Sequence, residues 1–113
     1  MEDVLKKILE FRDARDWKQF HTPKELAISI SLEANELLEC FQWKTPDEVE
    51  KFINSDEKVR LEEEVADVAI YLMLLCEAAE IDLKEAIVGK LRKNNEKYPV
   101  EKSKGKHTKY SSL

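Results

Sequence analysis

Glycine and proline, the residues that most often interrupt helices, are scarce in this chain. Its 113 residues include only two glycines and three prolines, and 38% of the residues are charged. A sheet with many tight turns needs more chain-breaking residues than a set of long helices does. The length suits one domain with one hydrophobic core. We therefore expect an all-α fold.

Apolar periodicity and helix-start signals divide the chain into four long helices and one short connecting helix. Thr22-Pro23 and Thr45-Pro46 are typical starts, in which the threonine caps the helix and the proline takes its first position. The predicted helices cover residues 3–15, 23–43, 47–53, 57–79 and 83–98. Pro99 should end the last of them, so we expect a domain at residues 1–100 and an irregular basic tail at 101–113.

The helix predicted at residues 57–79 is apolar nearly all round. Its main stripe is extended by further apolar residues at 69, 70, 73, 74 and 76. A helix of this kind is buried on more than one side, and so short a chain offers it too few partners. We therefore expect a homo-oligomer, at least a dimer, that completes a helix bundle.

Charge, cysteines and hydropathy limit the other function classes. The net charge of −5 argues against general binding of nucleic acid polymers. Cys40 and Cys76 lie within helical patterns, so we expect two reduced core thiols. The richest apolar run, residues 65–76, is too short to span a membrane, and the N-terminus has no signal-peptide pattern. A cytoplasmic protein without a membrane partner is expected.

Two pairs of carboxylates, each pair three residues apart, lie among the apolar residues of two predicted helices. These are Glu33 with Glu36, and Glu64 with Asp67. Residues i and i+3 share a helix face, so each pair can point at one position. If the two helices pack face to face, four carboxylates surround that position and repel one another unless a cation lies between them. A hard divalent ion such as Mg²⁺ or Mn²⁺ is the natural occupant.

These carboxylates have other interpretations. A glutamate in a helix usually belongs to a solvated face, and we expect Glu62 and Glu63 to be exposed in this way. A di-iron carboxylate bundle needs Glu-x-x-His on two helices, but His21 and His107 lie outside the long helices. The remaining alternative is a non-catalytic helical adapter with surface carboxylates, which predicts no binding of Mg²⁺.

Four segments, taken in order, resemble a known family. The two carboxylate pairs form ExxE, 27 intervening residues and ExxD, and they lie among the segments RDWKQFHTP, ELLECFQWK, EEEVADVAIYL and NNEKYP. Together these are similar to the MazG-like all-α nucleoside triphosphate pyrophosphohydrolases, close to the dCTP pyrophosphatase branch. The chain departs from many relatives at Asn35, where they have glycine, but Asn35 is not a ligand position.

The resemblance implies a dimer or tetramer with sites at subunit interfaces. It implies Mg²⁺-dependent hydrolysis of a nucleoside triphosphate, with dCTP or a 5-modified dCTP favoured, to the monophosphate and pyrophosphate. The metal ligands that it implies are Glu33, Glu36, Glu64 and Asp67. The residues that it places near the base and sugar are Trp17, His21, Trp43 and Tyr71, and those near the phosphates are Lys90, Asn94 and Tyr98.

The residue types suit those roles, although each has a simpler explanation. A carboxylate that is not saturated by metal can orient or deprotonate the attacking water, and Glu33 and Glu36 are the candidates. Lys90 and Asn94 are four residues apart and share a helix face. Aromatic residues at helix ends are usually part of a core, a single lysine is often only solvated, and His21 can serve as a structural hydrogen-bonding group. The basic tail could close over a bound triphosphate.

Overall fold

A computed structural model describes residues 1–107, in which every regular element is helical. The all-α prediction is therefore confirmed. A short 3₁₀ turn, Lys18–Phe20, follows the first helix. The helices are α1 Glu2–Ala14, α2 Pro23–Glu39, α3 Pro46–Ile53, α4 Lys58–Ala78, α5 Leu83–Lys97 and α6 Val100–Ser103.

Three helices begin with a side-chain cap. Thr22, Thr45 and Asp82 each accept a hydrogen bond from the backbone N–H three residues later, at 3.4, 3.2 and 3.1 Å. Pro23 and Pro46 take the first positions of α2 and α3, where a missing N–H costs nothing. Both helices therefore begin within one residue of the starts predicted from the two Thr-Pro pairs.

The end of α2 was predicted wrongly. The helix ends at Glu39 rather than at residue 43. Pro46 holds Thr45 in an extended conformation, so the chain must turn before it. The turn contains Trp43 at φ 69°, in the left-handed region, and Lys44 Nζ donates a hydrogen bond to Cys40 O at 2.8 Å.

The start of the tail is also more regular than expected. Pro99 ends α5 but precedes the short helix α6, in which the Lys102 and Ser103 N–H groups donate to Pro99 O at 3.0 and 2.9 Å. Proline has no N–H to continue a helix, but its carbonyl can accept the first bonds of the next one. The rest of the predicted tail, residues 108–113, lies outside the described residues.

The described residues form two compact units, the first at residues 1–80 and the second beginning at residue 81. In the first unit α2 packs mainly on α4, and α1 and α3 also contact α4. The buried apolar residues of this unit are Leu26, Cys40, Phe52, Leu74 and Cys76. Both cysteines are free and buried, which confirms the predicted core thiols. The second unit contains α5 and α6. The predicted domain boundary at residue 100 stays a prediction.

Much of the apolar surface of the long helices is solvent-exposed in the single subunit. The exposed large apolar side chains of α2 and α4 are Ile28, Leu32, Leu38, Val59, Val65, Ile70 and Leu72. Large exposed apolar patches on small domains often mark interaction faces. Among residues 1–107, none of the helices combines the length and apolar character needed to cross a membrane.

Candidate functional site

The packing of α2 on α4 brings the two carboxylate pairs together. Each of Glu33, Glu36, Glu64 and Asp67 offers one oxygen, and these oxygens all lie within 4.8 Å of one another. Glu33, Glu64 and Asp67 are half-buried, whereas Glu36 is exposed. The sequence predicted this convergence from the three-residue spacing, on the condition that the two helices pack face to face. Glu62 and Glu63, on the same helix as Glu64, are exposed as expected.

Two oxygens of the cluster are buried without a hydrogen-bond partner. They are Glu33 Oε2 and Glu64 Oε2. Burial, and then the neighbouring Glu36 carboxyl and the charges of Asp67 and Glu64, raises the pKa of Glu33 to about 6. Burial, followed by the Glu36 carboxyl, also raises the pKa of Glu64. The cluster therefore resists carrying its full negative charge unless a cation compensates it.

The donor set and the spacing both fit a hard divalent cation. Such an ion takes only oxygen ligands, at about 2.0–2.1 Å for Mg²⁺, so opposite ligands of one octahedron are about 4 Å apart. The four oxygens all lie within 4.8 Å of one another, close to the span of one coordination shell. A bound cation would also supply the partner that the two buried oxygens lack. The four carboxylates could therefore hold a metal ion.

A cleft of about 550 Å³ lies beside this cluster, between α1 and α4. Asp67 belongs to both, because it lines the cleft as well as contributing an oxygen to the cluster. The other charged residues of the lining are Lys7 and Arg12. Most of the lining is apolar or aromatic, and it includes Val4, Ile8, Phe11, Trp17, Ala69, Ile70, Tyr71, Met73 and Leu74. The cleft can receive a flat apolar group, and a cation held by the carboxylates would let an anionic group of the same molecule lie near Asp67.

Three of the predicted base-binding residues line this cleft and contact one another. The ring centroids of Trp17 and His21 are 6.4 Å apart, as are those of His21 and Tyr71, and both pairs are edge to face. Phe11 extends the row, at 5.7 Å from Trp17. Burial, and then the charge of Arg12, lowers the pKa of His21, so its imidazole is neutral at pH 7. Its Nδ1 is buried without a hydrogen-bond partner.

The remaining predicted site residues do not line this cleft. Trp43 lies elsewhere in the first unit, and the other three lie in the second unit. Trp43 is 91% exposed and does not line the cleft. Lys90 and Asn94 lie four residues apart on α5, and the Tyr98 N–H donates to Asn94 O at 2.8 Å. Lys90 is exposed and Asn94 is half-buried. The roles predicted for these four residues stay predictions.

Arg12 is a cleft residue that the sequence analysis did not identify. It is 8% exposed and is the one buried charged residue among residues 1–107. Its position four residues after Ile8 places it on the apolar stripe of α1. A charged residue on an apolar stripe was the signal that could have pointed to it.

The chain is similar to a known family and to several known proteins. The MazG-like family matches residues 28–113, a range that contains all four clustered carboxylates. The mouse protein dCTP pyrophosphatase 1 is 39% identical over 114 residues, which cover 100% of this chain and 67% of the mouse protein. The human protein of the same name is 37% identical, with the same coverage of 100% and 67%. A crystal structure of a pyrophosphatase from Archaeoglobus fulgidus is 51% identical, with a TM-score of 0.82, and the match covers 88% of this chain and 92% of that one.

Proposed function

This chain belongs to the MazG-like family, and we propose that it is a nucleoside triphosphate pyrophosphohydrolase that favours dCTP or a 5-modified dCTP. The observation that carries the proposal is the convergence of four carboxylates at the edge of an aromatic cleft. The preference for dCTP rests on the relatives named dCTP pyrophosphatase 1. The products would be the nucleoside monophosphate and pyrophosphate.

The carboxylates Glu33, Glu36, Glu64 and Asp67 would hold Mg²⁺, which Mn²⁺ could replace. When bound there, the metal would neutralise charge on the triphosphate oxygens. The oxygen-only donor set and the two unpartnered buried oxygens support this assignment. Asp67 would then set where the triphosphate lies relative to the cleft.

Hydrolysis between the α and β phosphates requires a water molecule in line with the leaving pyrophosphate. The water oxygen forms a bond to the α phosphorus, the bond from that phosphorus to the bridging oxygen breaks, and pyrophosphate leaves with the electron pair. Glu33 and Glu36 are the two candidates for orienting this water and accepting its proton. Glu36 is the exposed member of the cluster, which suits contact with water.

The aromatic side chains would bind the base and sugar. Trp17, His21 and Tyr71 line the cleft, and stacking on aromatic rings contributes on the order of 1–3 kcal/mol per base while tolerating every base. Tyr71, one turn after Asp67, is our candidate for the wall that excludes a ribose 2′-hydroxyl. We also assign Trp43 to the base, and Lys90, Asn94 and Tyr98 to the phosphates, from the family resemblance.

We further propose that the active form is a homodimer or homotetramer. The exposed apolar side chains of α2 and α4 support this, because water contact with them is unfavourable and a second subunit would bury them. Sedimentation of the protein at micromolar concentration tests this point, and a stable, active monomer would contradict it.

The experiment that tests the function is a panel of canonical and modified nucleoside triphosphates with Mg²⁺, in which pyrophosphate and monophosphate are both measured. We expect both products in equal amounts, with dCTP or a 5-modified dCTP turned over fastest. The matched control is Glu63→Gln, an exposed residue on the same helix turn as Glu64. Absence of turnover for every nucleotide, with no effect of Mg²⁺ on stability, would favour the non-catalytic adapter instead.

A further inference from the structure

We propose that Arg12 is a specificity-determining residue that recognises the O2 and N3 edge of cytosine in the cleft between α1 and α4. The inference rests on the proposed function, because it requires that the cleft receives the nucleotide base. Stacking alone does not explain a preference for one base. Aromatic rings bind all bases, so a preference for cytosine needs hydrogen bonds to the edge of the base.

Arg12 is buried in the wall where such hydrogen bonds would form. It is 8% exposed and lines the same cleft as Trp17, His21 and Tyr71. Burial, and then the charge of Arg12, lowers the pKa of the His21 imidazole, which lines the same cleft. A guanidinium carries its positive charge at all relevant pH values, so a permanent cation lies in a mostly apolar wall.

Only one edge of this guanidinium is engaged. Asp13 Oδ1 accepts a hydrogen bond from Arg12 Nε at 2.8 Å and forms an ion pair with Nη2, also at 2.8 Å. Within residues 1–107, the structure gives Nη1 no hydrogen-bond acceptor. Nη1 is not one of the buried polar atoms that lack a partner, so it reaches solvent, and an acceptor on a ligand can replace water there. Asp13 thus fixes the side chain while the Nη1–Nη2 edge stays available.

The free edge matches one pyrimidine better than the others. A guanidinium edge presents two parallel N–H donors. Cytosine presents two neighbouring acceptors, O2 and N3, whereas uracil and thymine carry a hydrogen on N3 that would face a donor. Adenine offers an acceptor beside an amino donor, and guanine offers two acceptors at O6 and N7. Among pyrimidines, Arg12 would therefore select cytosine, and dGTP belongs in the test as a competitor.

The first experiment compares kcat/KM for dCTP, dUTP and dGTP with Mg²⁺ in the full chain and in Arg12→Met. We expect the ratio of dCTP to dUTP to fall by about 10- to 100-fold in the variant, the range for a bidentate contact to a base edge. A ratio that stays at the wild-type value would overturn the inference, as would a loss confined to dGTP. If Arg12 had a purely structural role, kcat/KM would fall equally for dCTP, dUTP and dGTP, and the ratios between these nucleotides would not change.

Arg15→Met is the matched control. Arg15 directly follows α1 and is exposed, and its guanidinium carbon lies 3.6 Å from the centroid of the Phe11 ring. It does not line the cleft. Its substitution removes the same charge close by, so the ratio of dCTP to dUTP should not change. If the ratio of dCTP to dUTP changed equally in both variants, the effect would come from the loss of a positive charge in this region rather than from Arg12 itself.

A second experiment uses the wild-type protein and does not depend on how a variant folds. In 3-deaza-dCTP the N3 acceptor is replaced by C–H, and we expect kcat/KM to fall by about 10- to 100-fold. The 2-pyrimidinone deoxynucleotide keeps O2 and N3 but lacks the 4-amino group, so we expect it to retain most of the activity. The opposite order of the two analogues would overturn the inference while leaving the proposed function intact. Absence of turnover for dCTP itself would refute the proposed function.

Discussion

Asp67 and Tyr71 lie one helical turn apart on α4 and line the same cleft, and Asp67 also belongs to the carboxylate cluster. Four residues of an α-helix rise about 6 Å. One rigid element therefore sets the distance between the atoms that would hold a metal and a ring that would contact the sugar or base. A molecule with an anionic end and a flat end matches this arrangement.

Removing one carboxylate from the cluster should abolish most turnover without unfolding the protein. Asp67→Asn and Glu36→Gln each keep the volume of the side chain and remove one negative charge. We expect kcat to fall by more than about 100-fold, the order observed when a charge-stabilising group is lost. Steady-state kinetics measures the turnover, and circular dichroism measures whether the fold is retained. Wild-type activity in either variant would show that the carboxylates are not the metal site.

Mg²⁺ should raise the melting temperature. The ion would bind the folded cluster and relieve the repulsion among its four carboxylates, so saturation at 100 times the dissociation constant should stabilise the fold by about 2.7 kcal/mol. Calorimetry with increasing Mg²⁺, and with EDTA as reference, measures the shift. Asp67→Asn should show a much smaller shift, and Glu63→Gln the full one.

The metal-free protein should become less stable as the pH rises from about 4.5 to 6. The pKa of Glu33 is about 6 in the folded state against an ordinary value of 4.5, so between these values the folded state holds more protons than the unfolded one. The stabilisation is complete below 4.5 and is lost as the pH passes 6. Urea titrations in EDTA measure this slope, and Glu33→Gln should flatten it. An unchanged slope in that variant would exclude Glu33 as its source.

Trp43→Gly should weaken substrate binding without weakening the fold of the subunit. Trp43 has φ 69° and is 91% exposed, so within the subunit it has an unfavourable backbone conformation and little packing to compensate. Such a conformation costs on the order of 1–3 kcal/mol for a non-glycine residue, and glycine relieves it. We expect an equal or higher melting temperature and a higher KM for every nucleotide.

Trp43→Phe is the control for this prediction. It keeps an aromatic ring and the backbone strain, so it should retain most of the binding and show no gain in stability. A clear loss of stability in Trp43→Gly would mean instead that the indole packs against another subunit.

Local chemistry explains which parts of the fold were predictable from the sequence. The starts at Pro23 and Pro46 depend on a cap and a proline that are adjacent in sequence. The end of α2 depends on the turn at Trp43, and Phe41 still continues the apolar stripe, so periodicity extended the helix too far.

The candidate site also has one part that was predictable from the sequence and one part that was not. The convergence of the carboxylates follows from spacing on two helices that pack together, and was predicted. The cleft depends on how α1 lies against α4, which no local pattern encodes. The burial of Arg12 follows from that packing, and its place on the apolar stripe of α1 is the one sequence feature that points to it.

The two tryptophans of the chain differ in their surroundings, and this makes them optically distinct. Trp17 is 42% exposed and contacts Phe11 and His21, whereas Trp43 is 91% exposed. A solvated indole emits at longer wavelength than a partly enclosed one, so the intrinsic fluorescence of the protein has two separable components. With Trp43 replaced by phenylalanine, the remaining emission comes from an indole in the wall of the cleft. Quenching of that emission then reports ligand entry directly, without a label and without turnover.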